Sequence, residues 1–443
     1  MSINHPYSSG WRDNRRGLRE NSSIGRFLRR ALLLVLCSGS VVACLFLLFF
    51  AGTWLSEKMS QAGNYLSEME RLPDDPSKEP AMKDLSIDPK DLDLYPSHLS
   101  NHFTLKKDGV SLTVESSLDP GLQDYILKLF QRSGTLKAAA VILRPDDGRI
   151  LAMVSYDKDG NGEDLCLKAD FPAASLFKIV AAAAALESAG FTAKKPVYFV
   201  GNKHTLYKRQ LKQNVGRHAS KTSFKRAFAS SINPVFGRLG IYDLGQKLMA
   251  DSAERFLFNR SIPFDLPVAK SSINVPEDDF GLAEIASGFN KDTMISPMHA
   301  ALLASTVANN GVMMKPWLIE SISREDGKVV YQGGPEALTT PISRDTAEEL
   351  RILMKDTVLY GTCRKSLRRL LREKTLRKAE LGAKTGTIND ETDRFKFDWL
   401  AAYVLPPNGA KGICVAILGV HGKRLGIRAN RLAGKIISYY FSS

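Results

Sequence analysis

The chain reads as a large α/β or α+β domain carried behind one membrane-spanning helix. Three stretches predict this: an apolar helix from Phe171 to Gly190, a hairpin formed by Ala138–Leu143 and Ile150–Tyr156, and an apolar run from Ala31 to Leu55. A length of 443 residues would also accommodate two or three average domains. No internal repeat divides the sequence.

The run from Ala31 to Leu55 contains no charged residue and is long enough to span a bilayer. Arg12, Arg15, Arg16, Arg19, Arg26, Arg29 and Arg30 precede it, whereas Glu57, Lys58, Glu68 and Glu70 follow. By the positive-inside rule, residues 1–30 form a cytoplasmic Arg-rich tail and everything after residue 55 lies outside the cytoplasm. Val41-Val42-Ala43-Cys44 resembles a lipidation box, but the apolar run continues through Phe50, which favours an uncleaved anchor. Residues 56–100, rich in Asp, Glu, Lys, Pro and Ser, read as a periplasmic stalk.

Globular patterning starts near Phe103. Val110–Val114 reads as a strand, Pro120–Arg132 as a helix, and the hairpin turns at Pro145-Asp146-Asp147-Gly148. Further strands are expected at Leu381–Thr387, Trp399–Leu405 and Gly412–Val420, and a core helix after Pro297 that stops at Asn309-Asn310-Gly311. Asp157 to Gly162 opens like a calcium loop, but Lys168 stands where the pattern needs a bidentate acid, so a solvated turn is favoured and no metal is expected. Cys166, Cys363 and Cys414 have neither CxxC nor metal-ligand spacing; one disulfide is compatible with an oxidising compartment, its pairing open.

The net charge of +14 suits anionic partners, but it is partly concentrated in two Arg-rich runs, so nucleic acid is only one option. The second run, Cys363 to Lys378, carries Leu367, Leu370 and Leu371 as a narrow apolar stripe. It reads as a helix with a solvated basic face, or as one that touches anionic lipid or polymer.

Ser175 and Lys178 are three apart at the start of the apolar helix, so both side chains share one face and the amine can take the hydroxyl proton once its own pKa is lowered. Ser231-Ile232-Asn233 falls at a helix-to-helix turn broken by Pro234. Lys384-Thr385-Gly386-Thr387 is a strand suited to anions, with one cation, two hydroxyls and a glycine that admits a ligand backbone. Each pattern alone is common.

Together and in this order, Ser175-Leu-Phe-Lys178, Ser231-Ile-Asn233 and Lys384-Thr-Gly386 form a signature that resembles the penicillin-recognising serine enzymes, and their surroundings over residues 101–440 resemble a penicillin-binding protein transpeptidase domain. The resemblance implies an α+β fold: an antiparallel sheet flanked by helices, joined to an α-helical subdomain, over about 101–443. It further implies Ser175 as the acylated nucleophile, Lys178 as its base and Ser231 as proton relay. Asn233 would bind the donor peptide, and Lys384, Thr385 and Thr387 its terminal carboxylate. The backbone N–H groups of Ser175 and Thr387 would form the oxyanion hole. Implied ligands are D-Ala-D-Ala stem peptides of peptidoglycan and β-lactams; no cofactor and no nucleic acid are implied.

Two departures stand out. The stalk is too short for a glycosyltransferase domain or the N-terminal module of larger members, and Ser230 occupies a position where many relatives carry lysine, which implies a weaker positive field around Lys178. The competing readings are a D,D-carboxypeptidase or β-lactamase with the same motifs, and a non-catalytic wall-binding scaffold. Ser-His-Asp hydrolysis is disfavoured, because there is no GxSxG elbow and His204, His218, His299 and His421 lie in no motif.

Overall fold

The computed structural model describes residues 87–92, 94, 100–160, 162, 164–214, 216–407 and 409–442. They all fall in one compact unit, Asp84–Ser443. The expected anchor at 31–55, the Arg-rich tail and most of the stalk lie outside the described residues. Among the described residues no helix is long and apolar enough to cross a membrane. The described end of the expected stalk is not free of the domain: a 3-10 turn, Pro89–Asp91, leads to Leu92, which is buried in the main core.

The central sheet has five antiparallel strands, here numbered in chain order: β1 (Lys137–Leu143), β2 (Ile150–Asp157), β3 (Glu380–Asn389), β4 (Lys396–Leu405) and β5 (Ile413–His421). Their spatial order is β3-β4-β5-β1-β2, so β3 is an edge strand. Alternate residues point to opposite faces, and both faces are apolar, which is why these strands read as nearly continuous Ala, Val, Ile and Leu. Ala138, Ala140 and Ile142 pack with α1 (Pro120–Gln131) and α9 (Ala429–Ser442). Ala139, Val141 and Leu143 face the second core, which holds α2 (Lys178–Ser188) and the wholly buried α7 (Pro297–Ala308). A smaller antiparallel sheet of four strands pairs Val110–Ser116 with His102–Lys107 and Ile319–Arg324.

The remaining helices lie between β2 and β3 in sequence: α3 (Phe224–Ala229), α4 (Asn233–Leu239), α5 (Gly245–Arg255), α6 (Asp279–Ser287) and α8 (Arg344–Leu359). The chain is thus an antiparallel sheet flanked by helices, with a helical insertion on one side. Cys166, Cys363 and Cys414 are buried free thiols.

Two elements differ from the sequence reading. The helix expected from Phe171 begins at Lys178: Phe171-Pro172 instead pairs as a short strand with Met294-Ile295, and Ala174–Phe177 is a 3-10 turn. Ala174 has φ 49°, outside the range an α-helix can continue through, and Trp399 Nε1 donates to the Pro172 carbonyl at 2.8 Å, holding that segment extended against the sheet. The basic stretch Cys363–Lys378 is not a helix either. It forms turns around a five-residue 3-10 element, Arg368–Arg372, because Cys363, Leu367, Leu370 and Leu376 are each drawn into the core.

Candidate active site

Three segments far apart in sequence converge at the edge of the sheet. The 3-10 turn presents Ser175 just before α2. The turn between α3 and α4 presents Ser231 and Asn233, with Pro234 as the second residue of α4, where it needs no N–H partner. Edge strand β3 contributes Lys384. Ser231, like Ala174, sits at positive φ, here 52°. Such backbone costs of order 1–3 kcal/mol per residue and persists only where the surroundings impose it.

The side chains form a continuous hydrogen-bonded chain. Lys178 Nζ lies 2.8 Å from Ser175 Oγ, and Ser231 Oγ lies 3.0 Å from the same oxygen. Lys384 Nζ donates to Ser231 Oγ at 3.1 Å and to the Thr385 carbonyl at 2.8 Å. Lys178 also donates to Asn233 Oδ1, at 2.9 Å, and to the Ser287 carbonyl. Those two acceptors consume the two N–H groups of a neutral amine and leave its lone pair facing the Ser175 hydroxyl. Asn233 is oriented by its own amide, which donates from Nδ2 to the His204 carbonyl at 3.1 Å.

Both lysines are fully buried. Burial, reinforced by the nearby Lys384 charge, drives the Lys178 amine well below the usual lysine range. Burial also brings Lys384 down to about 7. Each amine stands over an aromatic ring, Lys178 at 5.4 Å from Phe236 and Lys384 at 5.5 Å from Phe228. Ser230, the residue before Ser231, caps the C-terminus of α3 and carries no charge. The second cation acting on Lys178 is therefore Lys384 rather than a residue beside Ser231.

Gly386 lets β3 reach the Ser175 turn: a Cβ there would stand 3.1 Å from Ala174 Cβ and 3.3 Å from Ser175 N. The two threonines of β3 differ. Thr385 Oγ1 exchanges a hydrogen bond with Thr362 Oγ1 at 2.7 Å on the cleft wall. Thr387 Oγ1 is committed elsewhere, donating to Asp398 Oδ1 at 3.2 Å and accepting from Arg428 Nη2 at 2.8 Å. Although burial pushes the Asp398 carboxyl up, the neighbouring His421 ring and hydrogen bonds from Arg428 and the Ala429 N–H hold it below the usual range.

A cavity of about 550 Å³ lies over Ser175, walled by Ser231, Asn233, Thr362, Thr385, Thr387 and several residues no sequence motif had singled out. Among these are His204, whose pKa is lowered by burial and by Lys178, and Gly288. Gly288 has φ +61°, and a Cβ on it would collide with the Ala174 carbonyl at 2.0 Å. An isolated glycine and an isolated histidine carry no sequence signal of such roles.

The family model for the penicillin binding protein transpeptidase domain matches residues 138–437. Peptidoglycan D,D-transpeptidase PbpA of Mycolicibacterium smegmatis is 26% identical over 395 residues, covering 80% of this chain and 76% of that one. The crystal structure of PbpA from Mycobacterium tuberculosis superposes with TM-score 0.58 at 23% identity, over 73% of this chain and 80% of that chain. The D,D-transpeptidase domain of a peptidoglycan glycosyltransferase from Eggerthella lenta gives TM-score 0.61 at 22% identity, over 74% and 82%. With the matched region taking in all but the first residue of the sheet and every segment of the cleft, the chain belongs to the penicillin-binding protein transpeptidase family, a family of serine-type acyl-transfer enzymes.

Proposed function

We propose that the protein is a membrane-anchored serine D,D-transpeptidase that cross-links peptidoglycan stem peptides through an acyl-enzyme on Ser175. The observation that carries this reading is the unbroken relay Lys384–Ser231–Ser175–Lys178, with its lone pair aimed at the nucleophile. Lys178 takes the Ser175 proton as Oγ adds to the penultimate D-Ala carbonyl carbon. The Ser175 and Thr387 N–H groups hold the oxyanion, a term of about 3–4 kcal/mol per donor. Collapse breaks the peptide C–N bond and forms the ester, and Ser231 relays to the departing D-Ala amine the proton that Lys178 took up, so that both residues return to their starting state. In the second half an acceptor amine adds to the ester carbon, its C–N bond forms, the C–Oγ bond breaks, and the amine proton returns to Ser175. Lys384 and Thr385 bind the donor's terminal carboxylate, with Arg428 acting through Thr387. Asn233 both orients Lys178 and faces the donor peptide. The apolar run 31–55 supplies the anchor, which fits a lipid-linked or newly polymerised donor outside the cytoplasmic membrane.

The test is to expose the full-length protein, in detergent, to labelled penicillin and map the adduct by mass spectrometry. A long-lived adduct on the peptide containing Ser175 is expected. Rapid release of hydrolysed penicillin would instead make the protein a β-lactamase, and a folded protein without any adduct would make it a scaffold.

The pH dependence of that acylation has a defined sign. Lys178 must be neutral to act as base, and its amine is depressed far below the ordinary lysine value; Lys384 must be charged to hold a carboxylate, and it loses its proton at about 7. The second-order rate constant for a carboxylate-bearing β-lactam is therefore expected to climb as Lys178 deprotonates and to decline above about pH 7 as Lys384 does. Lys384→Arg, permanently charged, should abolish the alkaline decline; a wild-type profile still rising at pH 9 would contradict the assignment of Lys384.

A further inference from the structure

We propose that a second, arginine-lined cavity beside β3 is the subsite for the acceptor strand, and that it takes an acidic peptide by its carboxylates. The inference rests on the transpeptidase reading above. The cavity, of about 920 Å³, is lined by Arg364, Lys365, Arg368, Arg369, Arg372 and Arg431. It is contiguous with the catalytic cavity, because Thr362, Thr385 and Thr387 wall both.

The charges are built in and left uncompensated. Cys363, Leu367, Leu370 and Leu376 are buried in the core, which fixes the segment between them as a ledge and turns its cations outward. The single acid of the segment, Glu373, accepts from Ser438 Oγ at 3.0 Å. Among the described residues, none of the six cations named above forms an ion pair, whereas Arg428 beside them is already matched by Asp398 at 2.6 Å. Gathering six like charges in a concavity costs self-repulsion, and it focuses a positive field where an anion would enter.

The chemistry says which substrate enters there. Acyl transfer exchanges one amine for another at the same carbonyl carbon, so the acceptor must extend from the side on which the leaving residue departs. That residue carries the carboxylate held by Lys384 and Thr385, and the space beyond Thr385 and Thr362 is the arginine cavity. An acceptor bearing several carboxylates is bound there by charge-assisted hydrogen bonds.

The probes are two synthetic tripeptides with a free side-chain amine, one with two free carboxylates and the other its diamide. Titrated calorimetrically into the full-length protein in detergent at low salt, the diacid is expected to bind at least roughly tenfold more tightly than the diamide. A quadruple variant, Arg364→Gln, Arg368→Gln, Arg369→Gln and Arg372→Gln, should erase that difference. With a thioester donor, the variant should need roughly tenfold more diacid for half-maximal aminolysis, while its maximal rate and its labelling by penicillin stay unchanged. Equal binding of diacid and diamide by the wild type overturns the proposal. So does a variant that keeps its preference for the diacid but loses binding to phosphatidylglycerol vesicles, which would make the cavity a lipid site. Parallel loss of penicillin labelling also overturns it, by giving the arginines to the donor cleft. Absence of any Ser175 adduct in the wild type removes the transpeptidase reading, whereas equal binding of diacid and diamide by a wild type that still forms the adduct removes the acceptor subsite alone.

Discussion

Ser175→Ala is expected to abolish labelling by penicillin, and Lys178→Met to slow it by about 10²–10⁴-fold, the range that a positioned general base contributes. Methionine fills the cavity of the lysine stem without an amine, so the change removes the proton acceptor 2.8 Å from Ser175 Oγ and little else of the packing. It also strands two buried acceptors, Asn233 Oδ1 and the Ser287 carbonyl, at a cost of about 1–3 kcal/mol each. Against this, a fully buried amine disappears, so the melting temperature is expected to move less than the rate does. Stopped-flow acylation with a fluorescent penicillin measures the first effect and thermal unfolding the second. A slowing of less than tenfold would pass the role of base to another group, and His204, on the wall of the same cavity, would be the one to replace next.

Gly288→Ala is the second large effect. At φ +61° any L-residue is strained, and here the new Cβ would also stand 2.0 Å from the Ala174 carbonyl and 2.9 Å from Ser175 Cα. The turn that carries Ser175 has to move, and Ser287, which adjoins Gly288 and whose carbonyl accepts from Lys178, moves with it. A displacement near 1 Å at reacting atoms is worth roughly 10² in rate. Gly190→Ala provides the control: its φ is +63°, but nothing lies within 4 Å of the added Cβ. It should lose about 1 kcal/mol of stability from backbone strain alone and acylate normally. If both variants acylate alike, the contact between Gly288 and the Ser175 turn has no catalytic consequence.

The contrast between those glycines marks what a sequence can and cannot express. The hairpin, the buried helices and the three short motifs are legible because each depends on local periodicity or on residue types needed by the chemistry. The 3-10 turn at Ser175 is not, because it is imposed by Trp399 and by the pairing of Phe171-Pro172 with Met294-Ile295, more than a hundred residues away. The turned-away hydroxyl of Thr387 is decided by Asp398 and Arg428, which no motif includes. The basic stretch misleads for a similar reason. Leu367, Leu370 and Leu371 have helical spacing, but Leu371 stays half-buried while Cys363 and Leu376 are pulled into the core, and that demand outweighs helix propensity.

The sheet is assembled from two ends of the domain: β1 and β2 precede the helical insertion, and β3 to β5 follow it. The site's bonds between segments are correspondingly long-range, with sequence separations of 55 for Lys178 and Asn233, 56 for Ser175 and Ser231, and 153 for Ser231 and Lys384. No fragment of the polypeptide emerging during synthesis can complete the hydrogen-bonded chain around Ser175 until β3 has been made and docked. High contact order makes that docking slow. In return, on the transpeptidase reading proposed above, an unfinished chain is not yet a target for acylation, and vulnerability to a β-lactam would begin only when folding ends.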